Sequence, residues 1–184
     1  MLFARRDRRR ARPASFASAL FAVAIASLLL TGGVLAQESA VRPPWQAAQV
    51  PDRQTATITV GTTPLTVELA ITPAERERGL GYRAGLEPGT GMLFIDDSAK
   101  VQTFWMKGMR FCLDIVWIDG TQIVGAADSV CPMPYGTPDN QLPIYSSPEP
   151  VRYVLEAPAG WLAANGYGAG TPVDLSAVST ATTG

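Results

Sequence analysis

The chain has 184 residues, 47% of them hydrophobic, with 15 Lys and Arg against 16 Asp and Glu and no histidine. Without an imidazole, no Ser or Cys nucleophile can be given its usual activating base, and no catalytic triad, metal-ligand cluster or phosphate-binding loop stands out. Residues 37–184 hold nine basic and 15 acidic side chains, a net charge of −6; such a balance repels polyphosphate and anionic lipid, so no nucleic acid is expected as a partner.

At the start, Arg5, Arg6, Arg8, Arg9, Arg10 and Arg12 precede an apolar run, and small or aliphatic residues stand at Val34, Leu35 and Ala36. This predicts a signal peptide over 1–36. Its rival is a retained N-terminal anchor, because 17–36 is about as long as the ~20 residues that cross a bilayer. On either reading the domain is exported, periplasmic or extracellular, and touches a membrane only through an uncleaved anchor. Residues 37–54 carry Pro43, Pro44 and Pro51 without a sustained apolar period and predict an extended linker.

Residues 55–60 and 65–70 alternate, with Ile58, Val60, Leu65, Val67 and Leu69 set against threonines and Glu68, which predicts a hairpin with one wet face. Thr72-Pro73-Ala74-Glu75 then supplies a cap, a first-turn proline and a carboxylate able to reach back, the signature of a helix start. Gly79 and Gly81 end that helix, and a glycine-rich loop leads to Met92. The stretch 91–120 organises the chain: Phe94, Phe104, Trp105, Ile115, Val116, Trp117 and Ile118 lie in runs too short for helices and rich in β-formers. Asp119-Gly120 predicts a two-residue turn pairing 113–118 with 121–128. Six prolines between Cys131 and Pro150 keep amides out of a sheet and predict a long ordered loop or lid. Residues 151–156 read as a strand with Val151, Tyr153 and Leu155 on one face and Arg152, Val154 and Glu156 on the other. A short helical turn ended by Gly166, a last strand near Val173 and a flexible tail over 176–184 complete the reading.

Several of these pieces recur together elsewhere. GMLF at Gly91, FWMK at Phe104, LDI at Leu113, TPAERERGLGYRAGL from Thr72 and YVLEAPAG from Tyr153 resemble, in order and spacing, the bacterial and archaeal domain-of-unknown-function family 192. The chain departs from the family's usual residues at Gly81, at Gly108-Met109 and at Cys112, so the segment 107–114 is expected to bend differently. The resemblance implies a single domain over 55–175, mainly β, a compact barrel-like antiparallel sheet with one or two short helices. It implies no activity and no cofactor.

Side-chain parity then isolates the candidate site. On the strand at 113–118, Asp114 shares a face with Cys112, Val116 and Ile118, opposite Leu113, Ile115 and Trp117. A desolvated carboxylate needs a partner, and Arg83, Lys107 and Arg110 are the candidates. Two readings stay open: an internal ion pair pinning a loop to the sheet, or a ligand-facing polar cluster of Arg83, Trp105, Lys107, Asp114 and Glu156. The function expected is a non-catalytic binding or structural module for a small or polymeric polar ligand. Two alternatives are a hydrolase using Asp114 and Glu156 as paired carboxylates and a Cu(I) carrier using Met106, Met109 and Cys112, with Cys131 and Met133 nearby. Cys112 and Cys131, the only cysteines, are expected to form a disulfide in an oxidising compartment. A two-residue turn would set Cys112 opposite Ala127, ~13 Å from Cys131 along the strand, so bridging requires the strands to curl near Gly108 and Pro132.

Overall fold

The structure is a computed structural model that describes residues 52–181; the predicted signal segment and most of the predicted linker lie outside the described residues. The elements run β1 (Thr55–Val60), β2 (Thr63–Ala70), α1 (Pro73–Arg78), β3 (Thr90–Lys100), β4 (Thr103–Trp105), β5 (Leu113–Ile118), β6 (Ile123–Val130), β7 (Ile144–Ser146), β8 (Val151–Pro158), α2 (Trp161–Asn165), β9 (Val173–Asp174) and α3 (Ser176–Ala181). Seven strands form one sheet in the order β6-β5-β8-β3-β2-β1-β9, and β4 pairs with β7 in a separate ribbon. The fold is mainly β, as expected, but one pair departs from the antiparallel pattern: β2 and β3 run parallel, Thr66 opposite Thr90 and Ala70 opposite Phe94. A parallel neighbour cannot be reached by a hairpin. The chain therefore crosses over through α1, which is laid against one face of the sheet.

The sheet curls. Ile58 and Val60 of β1 and Val173 of β9 share one buried cluster with Val116 and Ile118 of β5, strands far apart in sheet order, so this face is the inside of the curl. Its two edges meet at one corner, where Gln122 bridges Pro172, Ile123 N donates to Thr171 O at 2.9 Å and Val173 N to Thr121 O at 2.8 Å. A second cluster covers the outer face: Met92, Phe94, Leu113, Ile115, Trp117 and Val154 pack with Leu80 and Met106. Cover on both faces explains why every residue of β5 is buried and why its sequence is nearly continuously apolar.

The hairpin β5–β6 corrects the predicted register. The turn is longer than two residues: Ile118 faces Ile123, and the Asp119 carboxylate accepts from Thr121 N at 2.8 Å and Gln122 N at 3.0 Å, an Asx turn. Beyond it, register shifts between Trp117 and Ile118 and again between Leu113 and Ile115 each add a residue to β6, bringing Leu113 opposite Val130. Ser129 in the second bulge has φ 51°, the left-handed conformation that such bulges use. The next residues outward are Cys112 and Cys131, and they are bridged, with Cα atoms 4.1 Å apart. The four-residue offset that stood against the disulfide is thus absorbed by the longer turn and the two bulges.

Two further expectations change. Residues from Ser176 to Ala181, predicted as the start of a loose tail, form α3 with Val178 buried. The proline-rich loop is not structureless: a 3₁₀ turn at Asp139–Gln141 precedes β7, which gives the isolated strand β4 its partner, Phe104 opposite Tyr145 and Trp105 opposite Ile144.

A candidate ligand-binding groove

The crossover and the β4–β7 ribbon rise from the outer face of the sheet and leave a groove of about 790 Å³ between them. One wall is α1 and the turn after it. Thr72 caps this helix, its hydroxyl accepting from Glu75 N at 3.2 Å while the Glu75 carboxylate accepts from Thr72 N at 2.7 Å, the reciprocal box predicted from the sequence. At the far end of the helix, Arg53 donates to Gly79 O at 3.2 Å and adds a second donor, at 3.1 Å, to Glu75 O, which already accepts from Gly79 N at 2.9 Å. Arg53 falls within the predicted linker, yet its side chain is wholly buried, so the ordered domain begins before β1. The other wall is Gln102 with Phe104 and Trp105, where Phe104 stands edge-on to Phe94 with ring centroids 5.0 Å apart.

The floor follows from strand parity. Phe94 pairs with Val154 and Met92 with Glu156, and alternate residues Arg152, Val154 and Glu156 of β8 line the groove. Gly91 permits this close seam, since a Cβ there would stand 2.7 Å from the Glu156 backbone oxygen. Three zones succeed one another along the floor. At one end, Lys100 Nζ lies 2.6 Å from Asp96 and Arg152 Nε donates to Asp96 O at 2.8 Å. The hydrogen bond from Lys100 holds the Asp96 carboxyl below its ordinary range. Phe94 and Val154 make the apolar middle. Glu156 closes the far end.

Glu156 is 5% exposed, and its Oε2 has no hydrogen-bond partner among the described residues. Burial pushes its pKa up from 4.5 to about 8, against a partial counter-pull from Arg53 and Arg83. The carboxyl is therefore protonated at neutral pH, and able both to donate and to accept. One row across the same face, Glu68 sits beside Met92 in the opposite state. Arg83 grips it with two bonds of 2.5 and 2.6 Å, Arg53 lies 3.6 Å away, and the bonding to Arg83 holds it ionised below its ordinary range. The cations that could have neutralised Glu156 are engaged by Glu68.

Of the five residues predicted as a cluster, Trp105, Lys107 and Glu156 line the groove, whereas Arg83 and Asp114 are not among its lining. Lys107 Nζ lies 5.0 Å from the Trp105 ring centroid and 2.5 Å from Asp139. Asp114 is fully buried, and its partners are backbone rather than a cation: it accepts from Ser129 N at 2.8 Å and from Gly160 N and Leu162 N at 2.9 Å. It pins the β6 bulge and caps α2, whose own N-cap is Gly160 without a side chain to offer. Of the two open readings, an internal ion pair and a ligand-facing cluster, Asp114 fits neither in full: it pins the chain from inside the sheet, with three amides supplying what a salt bridge would.

The two alternative chemistries lose their parts. Asp114 pairs with Ala157 and Ile115 with Glu156, so the two carboxylates leave opposite faces of the sheet and cannot flank one bond. Cys112 is joined to Cys131 and offers no thiolate to Cu(I), and Met106 is buried in the outer cluster. Sequence reasoning missed Asp96, Lys100 and Arg152 as groove residues. The parity that grouped Arg152 and Val154 with Glu156 already contained the signal for Arg152; Asp96 and Lys100 depend on β3 lying beside β8, which no local pattern declares.

Fold and groove together define a mainly β half-barrel domain with a groove of small-molecule size on its outer face. The chain belongs to the DUF192 family, described as uncharacterized ACR, whose model matches residues 55–175. Two solved structures are similar. One is a Sinorhizobium meliloti protein named for a suspected role as a transcription regulator, 30% identical, with TM-score 0.61, covering 68% of this chain and 97% of its own. The other is a protein of unknown function from Novosphingobium aromaticivorans, 26% identical, with TM-score 0.61, covering 72% of this chain and 97% of its own. No curated protein matches the chain.

Proposed function

We propose that this protein is an exported, non-catalytic binding module that takes a polar ligand in the groove. The observation that carries the reading is Glu156, a buried carboxyl whose Oε2 has no partner among the described residues and which lines a groove of about 790 Å³. A buried polar group left unpaired costs about 1–3 kcal/mol, and a ligand atom that bonds it recovers that cost. The volume lies within the range of small-molecule sites. Trp105, 46% exposed at the rim, supplies a flat apolar surface, and Lys107 a donor beside it. The Cys112–Cys131 bridge suits the oxidising compartment that export implies. The role suspected for the Sinorhizobium protein is not carried over, because residues 37–184 have a net charge of −6 and DNA binding calls for a basic surface.

The test is a thermal-shift screen of the full chain against a small-molecule library, followed by calorimetry on the hits. At least one hit is expected to lose about tenfold or more in affinity on Trp105→Ala, while glycoside, ester and peptide substrates show no turnover. Turnover abolished by Glu156→Gln with the fold intact would overturn the non-catalytic reading. A library without a single groove-dependent hit would overturn the binding reading.

A further inference from the structure

The floor of the groove is graded over its length, and the grading specifies a ligand. Arg152, Val154 and Glu156 face the same way along β8, so the span from the first to the last is about 13 Å at the strand's rise per residue. Five cations line the groove, Arg76, Arg78, Lys100, Lys107 and Arg152, against Glu77, Asp96 and the Glu156 carboxyl. Lys107 is matched by Asp139 and Lys100 by Asp96, so the surplus of positive charge lies with Arg76, Arg78 and Arg152 against Glu77, on a domain that is acidic elsewhere, and it favours anions. Arg152 commits Nε to Asp96 O, and among the described residues its terminal nitrogens carry no hydrogen bond, leaving a planar pair of donors suited to a carboxylate. Lys100 stands at the same end, with its side chain 57% exposed. Phe94 and Val154, 4% and 1% exposed, then form a tightly packed apolar floor with the partly buried Phe104 beside them until Glu156 is reached.

We propose that the groove binds an elongated organic carboxylate: its anionic end lies at Arg152 and Lys100, its apolar body over Phe94 and Val154, and an uncharged hydroxyl or carbonyl at its far end bonds Glu156. This rests on the groove being the binding site and adds the ligand's class and orientation. An entirely apolar far end would leave the Glu156 Oε2 without a partner. The groups facing Glu156 fix how the site responds to pH. Arg53 and Arg83 are held by Glu68, and the strands on either side present Met92 and Ile115. When the carboxyl ionises, near pH 8, a buried negative charge appears at the end of a site already holding an anion, and binding weakens.

Calorimetry on the full chain at pH 7 with ω-hydroxydecanoate, decanoate and decanediol tests this. ω-Hydroxydecanoate is expected to bind most tightly, with decanediol about tenfold weaker for want of the anion and decanoate about fivefold weaker for want of the distal hydroxyl. Arg152→Gln, and independently Lys100→Gln on the exposed side chain, should weaken both carboxylates and leave decanediol unchanged. Glu156→Gln, which keeps a neutral donor and acceptor, should bind at pH 7 and lose the weakening that the native protein shows above pH 8. Equal affinity for decanediol and ω-hydroxydecanoate, or carboxylate binding indifferent to both cation substitutions, would overturn the proposal. If none of the three compounds binds while a library hit still depends on Trp105, the ligand class is wrong and the binding module stands.

Discussion

Two buried carboxylates show how the same functional group is put to different ends by its neighbours. Asp114 points into the inside of the curl and accepts from three backbone amides, Ser129 N, Gly160 N and Leu162 N. It is a cap for α2 and a clasp for the bulge at Ser129. Asp114→Asn places an NH2 against an amide that needs an acceptor, so the variant is expected to lose roughly 2–4 kcal/mol of stability, measured by denaturant unfolding. Because Asp114 is remote from the groove lining, affinity for a groove ligand should persist in the fraction that folds; loss of binding without loss of stability would contradict this assignment. From sequence, the buried carboxylate was visible as a break in an apolar strand, but its partners were not. Backbone amides leave no residue-type signature, and of the cations the sequence offers, Arg83 and Lys107 are engaged by Glu68 and Asp139 instead.

At the scale of elements, local chemistry was legible and pairing was not. The Thr72–Glu75 box and the helix end at Gly79 follow from residues within one turn of each other, β1, β2 and β8 from alternation within each strand, and β5 from its short run of β-formers. The β5–β6 register depends on two bulges and on the Asp119 side chain competing with the two-residue turn, choices made by packing on both faces of β5. The parallel β2–β3 pair depends on which edge the crossover reaches. The disulfide belongs to this scale, since it locks the register that the bulges create. It closes a sequence separation of 19 residues, which the chain-entropy account values at about 3 kcal/mol. The double substitution Cys112→Ser, Cys131→Ser should lower stability by about that amount, with most of the proline-rich loop gaining amide exchange; an unchanged unfolding midpoint would show that the bulges hold the register unaided.

For the whole molecule, the curl, the crossover and the ribbon are one arrangement: the inside is a sealed core, and the outer face is covered except where the groove lies. Glu156 is the group through which this arrangement reaches the stability of the entire fold. Its pKa rises from 4.5 to about 8 on folding, so the folded state holds a proton that the unfolded chain has released throughout that interval. The stabilisation is complete below pH 4.5 and is lost as pH rises toward 8, a decline of up to roughly 5 kcal/mol; Glu156→Gln removes that slope. The most direct test is a carboxyl-carbon NMR titration of Glu156 in the folded protein. A midpoint near pH 8 is expected of a dry, neutral acid at the end of the groove, whereas a midpoint in the ordinary carboxylate range near 4.5 would mean an ionised, solvated Glu156 and would contradict the account of the site.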